Sequence, residues 1–127
     1  MNYVHGIDII DVPRIEAMLE KHGDHFINRC FTIVEQKAAD VSSTKTRAER
    51  FAARYAAKEA VLKALGTGLS GGIEWIEIGV VRGGGAPTIE LTGRAQEVAK
   101  EAGIEEWRLS LSHTAGIAIA SVIGFGG

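Results

Sequence analysis

Between Arg50 and Gly68 the chain reads RFAARYAAKEAVLKALGTG, the longest periodic segment in the molecule. Alanine, leucine, lysine and glutamate favour helix, and Gly66 is a natural stop because glycine enters the left-handed conformation at little cost. Ser42, Ser43 and Thr44 supply polar caps upstream. The pattern predicts one long helix over 45–65, around which the other elements must be arranged. At ~100° per residue, Phe51, Tyr55 and Leu62 fall on one stripe, extended by Val61 and Leu65, which is read as core. Ala52 and Ala56 lie beside that stripe and are read as room for something to approach the helix. Glu59 and Lys63 sit together at its edge, one turn apart. On the helix alone they form an ordinary i,i+4 ion pair worth ~0.3–0.5 kcal/mol. Lys58 falls inside the apolar stripe and must snorkel out or meet an anion. The same holds, less sharply, for Arg54.

The flanking sequence alternates helical and extended patterns. Residues 3–10 read as a strand rich in β-branched residues, interrupted by Asp8. Pro13 suits a helix start, Asp11 is placed to cap it, and Gly23 stops it. A short helix is expected over 25–30. Thr32 and Glu35 have capping-box spacing for a further helix over 33–39. A glycine-rich loop follows at 67–72, then a strand over 75–82, a turn at Gly83, Gly84 and Gly85, and a returning strand over 88–91. Thr92 caps a helix to residue 102. Strands over 107–112 and 117–123 close the chain, joined by a turn that begins at His113, and 124–127 are expected to fray. This order implies an α/β (α+β) fold, a mainly antiparallel sheet packed against one long and several short helices in a single domain over 1–127.

Composition sets outer limits. With 127 residues, 46% hydrophobic and 24% charged, the chain has material for one modest core. Its formal net charge of -2 provides no general attraction for nucleic acid. Basic residues instead cluster locally, in Lys45, Arg47, Arg50, Arg54, Lys58 and Lys63. Cys30 is the only cysteine, so no internal disulfide forms. The N-terminus lacks a signal-peptide pattern and no run reaches the ~20 apolar residues of a membrane span. These features read as a cytoplasmic protein with no membrane or nucleic-acid partner.

Asp8 gives the Glu59–Lys63 pair a second reading. An aspartate inside an apolar strand needs a partner. One carboxylate from a strand and one from a helix edge, completed by water and phosphate oxygens, is a typical Mg²⁺ arrangement, and a nearby lysine would bind phosphate as a point charge. Asp8 reads equally well as a local cap or the partner of a nearby arginine. His113, after Leu109-Ser110-Leu111-Ser112, is either a turn histidine bonded to backbone or a phosphate ligand at a strand end. Lys21-His22-Gly23-Asp24-His25 has no metal-binding spacing, and Cys30 has no evident base partner.

Three pieces, GIDIIDVPRI at 6–15, RFAARYAAKEAVLKALGTG at 50–68 and LSLSHTAGIAIASV at 109–122, together resemble the small bacterial holo-[acyl-carrier-protein] synthases, the short class of 4'-phosphopantetheinyl transferases. The resemblance runs over essentially the whole chain. It implies transfer of the 4'-phosphopantetheine arm of coenzyme A to a serine of apo-acyl carrier protein, with release of adenosine 3',5'-bisphosphate and a requirement for Mg²⁺. It implies a homotrimer with active sites at subunit interfaces. Carried onto this chain, it makes Asp8 and Glu59 the Mg²⁺ ligands, Lys63 the pyrophosphate ligand and His113 a coenzyme A phosphate ligand from a neighbouring subunit. Lys45 and Arg54 become candidates for the 3'-phosphate, and Arg14 for the acidic recognition helix of the carrier. Tyr55 stands where the family often has Phe, a change read as neutral. Two other readings stay open: a non-catalytic module that binds coenzyme A or a carrier protein, and a Mg²⁺-dependent pyrophosphate hydrolase.

Overall fold

The computed structural model describes residues 2–82 and 84–127, so Gly83 of the expected glycine turn lies outside the described residues. The elements are β1 (Asn2–Asp11), α1 (Val12–Cys30), α2 (Ile33–Ala38), α3 (Thr44–Leu65), β2 (Ile78–Val81), β3 (Thr88–Leu91), α4 (Gly93–Glu101), β4 (Glu106–Thr114) and β5 (Ile117–Gly126), with short 3-10 turns at Gly68–Gly71 and Trp75–Glu77. Among the described residues the strands form an antiparallel sheet ordered β1-β5-β4 and a separate antiparallel hairpin, β2-β3.

The long helix starts and stops as its sequence dictates. Ser43 Oγ accepts the backbone N–H of Thr46 at 3.2 Å, and Gly66 closes the helix at φ 74°. Its alanines have a different role from the one expected. Ala52, Ala56 and Ala60 are fully buried, so they form core and leave no clearance for a ligand. Their small size lets α3 lie directly on the inner face of the three-stranded sheet, against Ala118, Ala120 and Val122 of β5. The contact is closest at Gly6, where a Cβ would overlap the carbonyl oxygen of Ala60. Gly6→Ala is therefore expected to destabilise the fold by about 3 kcal/mol, the upper range for forcing extra volume into a packed core, read as a lower urea midpoint at unchanged slope.

Other local differences have identifiable causes. Residues 75–77 form a 3-10 turn ahead of β2, because the Glu77 carboxylate accepts the backbone N–H of Glu74 at 3.0 Å and tightens the chain there. Its other oxygen accepts the N–H of Arg94 at 3.0 Å and serves the start of α4, where the Thr92 side chain makes no capping bond. Asp11 occupies the position before α1 without capping it by its side chain; the N–H of Val12 donates to Gly116 O at 2.8 Å instead. The two expected helical pieces over 13–30 form one element with a break at Gly23, φ 48°. His113 belongs to β4 and pairs with Ala118, placing the turn beyond it. The C-terminus extends β5 to Gly126, held where Glu105 N–H donates to Phe125 O at 2.9 Å.

Strand alternation gives the sheet two unlike faces. Gly6 and Ile10 of β1 point toward α3 and are buried, whereas Tyr3, Ile7 and Ile9 point away from it and are exposed, Ile9 at 63%. Ile117 and Ile123 of β5 are exposed on the same outer face. These exposed apolar side chains gather on β1 and β5, whereas β4 presents Glu106, Arg108, Ser110, Ser112 and Thr114 on the same face and His5 bonds to Ser121 within it; a cluster of exposed isoleucines suits an interaction surface.

Candidate active site

The register of β1 puts Asp8 on the inner face of an edge strand, beneath the C-terminal half of α3. Lys63 reaches it. Its Nζ donates to Asp8 Oδ1 at 2.8 Å and to the backbone oxygen of Ile7 at 3.1 Å. Lys63 is thus paired across the fold, not along its own helix. Its ammonium is pushed up by the hydrogen bond to Asp8 and by the charge of that carboxylate. Glu59 stands on the same side. Burial pushes its carboxyl up and the Asp8 carboxylate pushes it further, while Lys63, Arg14 and the Tyr55 side chain draw it back. Two carboxylates and one lysine here form a compact charged cluster, and the raised Glu59 carboxyl marks a demand for added positive charge.

A cavity of about 450 Å³ opens beside this cluster, lined by Glu59, Leu62, Lys63, Gly66, Leu69 and Trp75. Trp75 stacks on Tyr55 with ring centroids 4.9 Å apart at 27°. The Arg14 guanidinium lies 6.0 Å from the same Tyr55 ring, so the exposed start of α1 forms the adjoining rim. The chemistry of the cluster fits Mg²⁺. Mg²⁺ takes hard oxygen donors and is commonly held by one or two carboxylates together with substrate phosphates and water. Asp8 and Glu59 supply that pair, and the described residues include no set of three or more His, Cys, Asp or Glu side chains that would enclose a metal by themselves.

A second cavity, about 680 Å³, contains the other candidates. His113, Arg54, Arg50, Arg82 and Thr46 line it, together with Glu49. His113 Nδ1 lies 3.5 Å from Glu49 Oε2. Arg54 donates through one terminal nitrogen to Arg50 O at 3.1 Å, but its Nε is buried and has no partner among the described residues. Burial lowers its guanidinium below the usual arginine range. A half-buried guanidinium with an unsatisfied Nε, beside two further arginines, calls for an anion. Lys45 is exposed in the first turn of α3 and does not line this cavity, although its neighbour Thr46 does. Arg50 enters the sequence reading only as a member of the local basic cluster, and Arg82 has no assigned role there. The four-residue spacing of Arg50 and Arg54 could have indicated the former; Arg82, beyond β2, carries no local signal.

The two cavities share no lining residue. Glu49, which meets His113, and Lys63, which meets Asp8, are about 21 Å apart along α3 at 1.5 Å per residue. One chain therefore presents two separate charged cavities along α3. Lys58 lies between them, and its anion is Glu35, 2.7 Å away with both side chains fully buried. Cys30 is buried and its thiol is pushed up by burial, the opposite of an activated nucleophile.

This architecture has close counterparts. Residues 5–120 match the 4'-phosphopantetheinyl transferase superfamily. The holo-[acyl-carrier-protein] synthase of Koribacter versatilis is 46% identical over 119 residues, covering 93% of this chain and 94% of that protein. That of Gloeobacter violaceus is 48% identical over 123 residues, covering 94% and 92%. The crystal structure of Helicobacter pylori holo-[acyl-carrier-protein] synthase in complex with coenzyme A superposes with a TM-score of 0.82 at 29% identity, covering 95% of this chain and 99% of the other. With a family match over nearly its whole length and relatives approaching half identity, the chain belongs to the 4'-phosphopantetheinyl transferase superfamily.

Proposed function

We propose that this protein is a Mg²⁺-dependent holo-[acyl-carrier-protein] synthase, a single-domain cytoplasmic enzyme that works as a homotrimer. The observation that carries the reading is the clustering of Asp8, Glu59 and Lys63, from two elements far apart in sequence, with Glu59 and Lys63 lining the cavity beside it. In the reaction a carrier serine oxygen bonds to the coenzyme A phosphorus that bears the pantetheine arm. The bond from that phosphorus to the bridging oxygen breaks, and adenosine 3',5'-bisphosphate departs with the electron pair. Such transfers depend chiefly on positioning and charge neutralisation. Asp8 and Glu59 would hold Mg²⁺, which when bound polarises the pyrophosphate and offsets the charge of the leaving group. Lys63 neutralises the same oxygens from the far side of Asp8. Leu62, Leu69 and Trp75 form an apolar wall suited to the pantetheine arm. Arg14, on the rim, meets the acidic helix of the carrier.

The arginine-lined cavity is read as the place for the 3'-phosphate, with Arg54 and His113 in its lining and Lys45 next to the lining residue Thr46. The two cavities open on different sides of α3, with Arg54 and Glu59 about 140° apart round the helix at ~100° per residue, so we read them as half-sites, a neighbouring subunit bringing its His113 cavity to the Asp8 cluster. The apolar outer face of the sheet supplies the surface for that assembly. Among the described residues no helix is long and apolar enough to cross a membrane.

The test is intact-mass analysis of apo-acyl carrier protein incubated with coenzyme A and Mg²⁺. The expected result is a gain of one phosphopantetheine arm, with none after chelation of the metal. No gain on any carrier from the same cell would sink the proposal. Ligand binding without turnover would favour the binding-module reading, and adenosine 3',5'-bisphosphate release without carrier would favour the hydrolase.

A further inference from the structure

The fully buried Glu35–Lys58 pair has no part in the chemistry above, yet it is the most completely bonded ionic group in the fold. The Lys58 ammonium donates to Glu35 Oε1 at 2.7 Å, to the backbone oxygen of Trp75 at 3.2 Å and to the backbone oxygen of Ile78. An ammonium has three hydrogens to donate, and here each has an acceptor. Glu35 Oε1 also accepts the N–H of Thr32 at 2.8 Å, and Oε2 accepts the N–H of Val80 at 2.8 Å. The pair therefore ties three separate pieces, the start of α2, the first residues of β2 and the Trp75 turn, to the middle of α3.

Stability alone is a poor account of such a group, because a buried ion pair replaced by apolar residues of similar size is often neutral or better. Its distinctive consequence is geometric. The Lys58 bond to the Trp75 carbonyl anchors the one residue of that turn whose ring lines the Glu59–Lys63 cavity and stacks on Tyr55. Lys58 also immediately precedes Glu59, so its inward anchor sets the rotation of α3 that aims Glu59 at Asp8.

We infer that Glu35 and Lys58 act as positioning residues, holding the Trp75 wall against α3 so that the cavity is already shaped for the pantetheine end of coenzyme A. This rests on the functional reading above, and its test is chosen to separate the two. Trp75 and Trp107 are the two tryptophans, so in a Trp107→Phe background Trp75 is the sole indole reporter. In that background Glu35→Gln/Lys58→Met removes both charges together and avoids stranding either one. The expected result is a red-shifted Trp75 emission with greater quenching by acrylamide, measured without ligand. KM for coenzyme A should rise about 10-fold, the lower range for losing a supporting shell, with kcat within about twofold, the pattern of lost binding rather than lost transition-state contact.

Trp75→Ala should raise KM similarly, and adding it to the double variant should raise KM no further, since both changes act through the same wall. Unchanged emission and unchanged KM in a folded double variant would overturn the inference and leave the pair as packing. Should the double variant fail to fold, Glu35→Asp keeps both charges, withdraws the carboxylate by one methylene and is judged by the same readouts. If the wild-type protein transfers no arm, the functional reading falls, while the emission change still decides whether the pair holds Trp75.

Discussion

Glu59→Gln is expected to abolish arm transfer, lowering kcat/KM by about a thousandfold, while leaving a folded protein at least as stable as the wild type near neutral pH. Loss of a carboxylate that holds Mg²⁺ removes several kcal/mol of transition-state charge stabilisation, and each 1.36 kcal/mol is about tenfold in rate. The stability half follows from the electrostatics of the site. Burial and the Asp8 charge raise the native Glu59 carboxyl above its ordinary value of 4.5. The native chain therefore retains that proton more readily than the unfolded chain does. The resulting contribution to stability is fully present below 4.5 and is lost as pH rises through the raised native value. Glutamine never ionises and does not incur that loss. Thermal melts should show Glu59→Gln level with or above wild type at about pH 8, its advantage closing as pH falls below the ordinary glutamate range. Full activity in this variant would remove Glu59 from the metal site. A variant that melts well below wild type at pH 8 would make Glu59 a structural residue.

Much of this site was legible because its residues contradict their surroundings. Asp8 interrupts a strand of isoleucines, and Glu59 and Lys63 share one edge of a helix whose propensity and glycine stop leave little choice of structure. What sequence could not supply was the partner of each charge. Lys63 looks satisfied by Glu59 along the helix, yet it meets Asp8, fifty-five residues earlier. Glu35 looks fully accounted for by its capping box. The box does form, but a carboxylate has room for more acceptor contacts than a cap consumes, and the remainder hold Lys58 and Val80. The same ambiguity affected Ala52 and Ala56. A small residue on a helix edge permits close approach, and only the sheet shows that what approaches is Gly6 and β5 rather than a ligand. The 3-10 turn at Trp75 and the ordered C-terminus depend likewise on long-range bonds, Glu77 to Arg94 and Glu105 to Phe125, that no local pattern encodes.

Ile123→Asp should convert an assembled protein into monomers and suppress transfer at least a hundredfold without unfolding the chain. Ile123 sits on the outer face of β5 opposite His5, well along the sheet from Asp8, so the substitution leaves the Asp8–Glu59–Lys63 cluster untouched. Ile123 is 45% exposed, so each copy that buries the exposed part gains about 1 kcal/mol. An aspartate there instead brings a desolvated, unpaired carboxylate, which costs several kcal/mol. In a closed cyclic assembly the penalty recurs at every interface, so light scattering should report a monomer at concentrations where the wild type is expected to form the proposed trimer. Activity falls with assembly only if the Asp8–Glu59–Lys63 half-site and the His113–Arg54 half-site of different chains are used together. Mixing decides that point. Glu59→Gln and Arg54→Ala chains are each expected to be nearly inactive alone. Co-expressed in equal amounts, about a quarter of their interfaces combine two intact half-sites, so about a quarter of wild-type activity should return. A fully active Ile123→Asp monomer, or a mixture no better than its components, would place every working residue on one chain, with coenzyme A reaching both cavities of that chain.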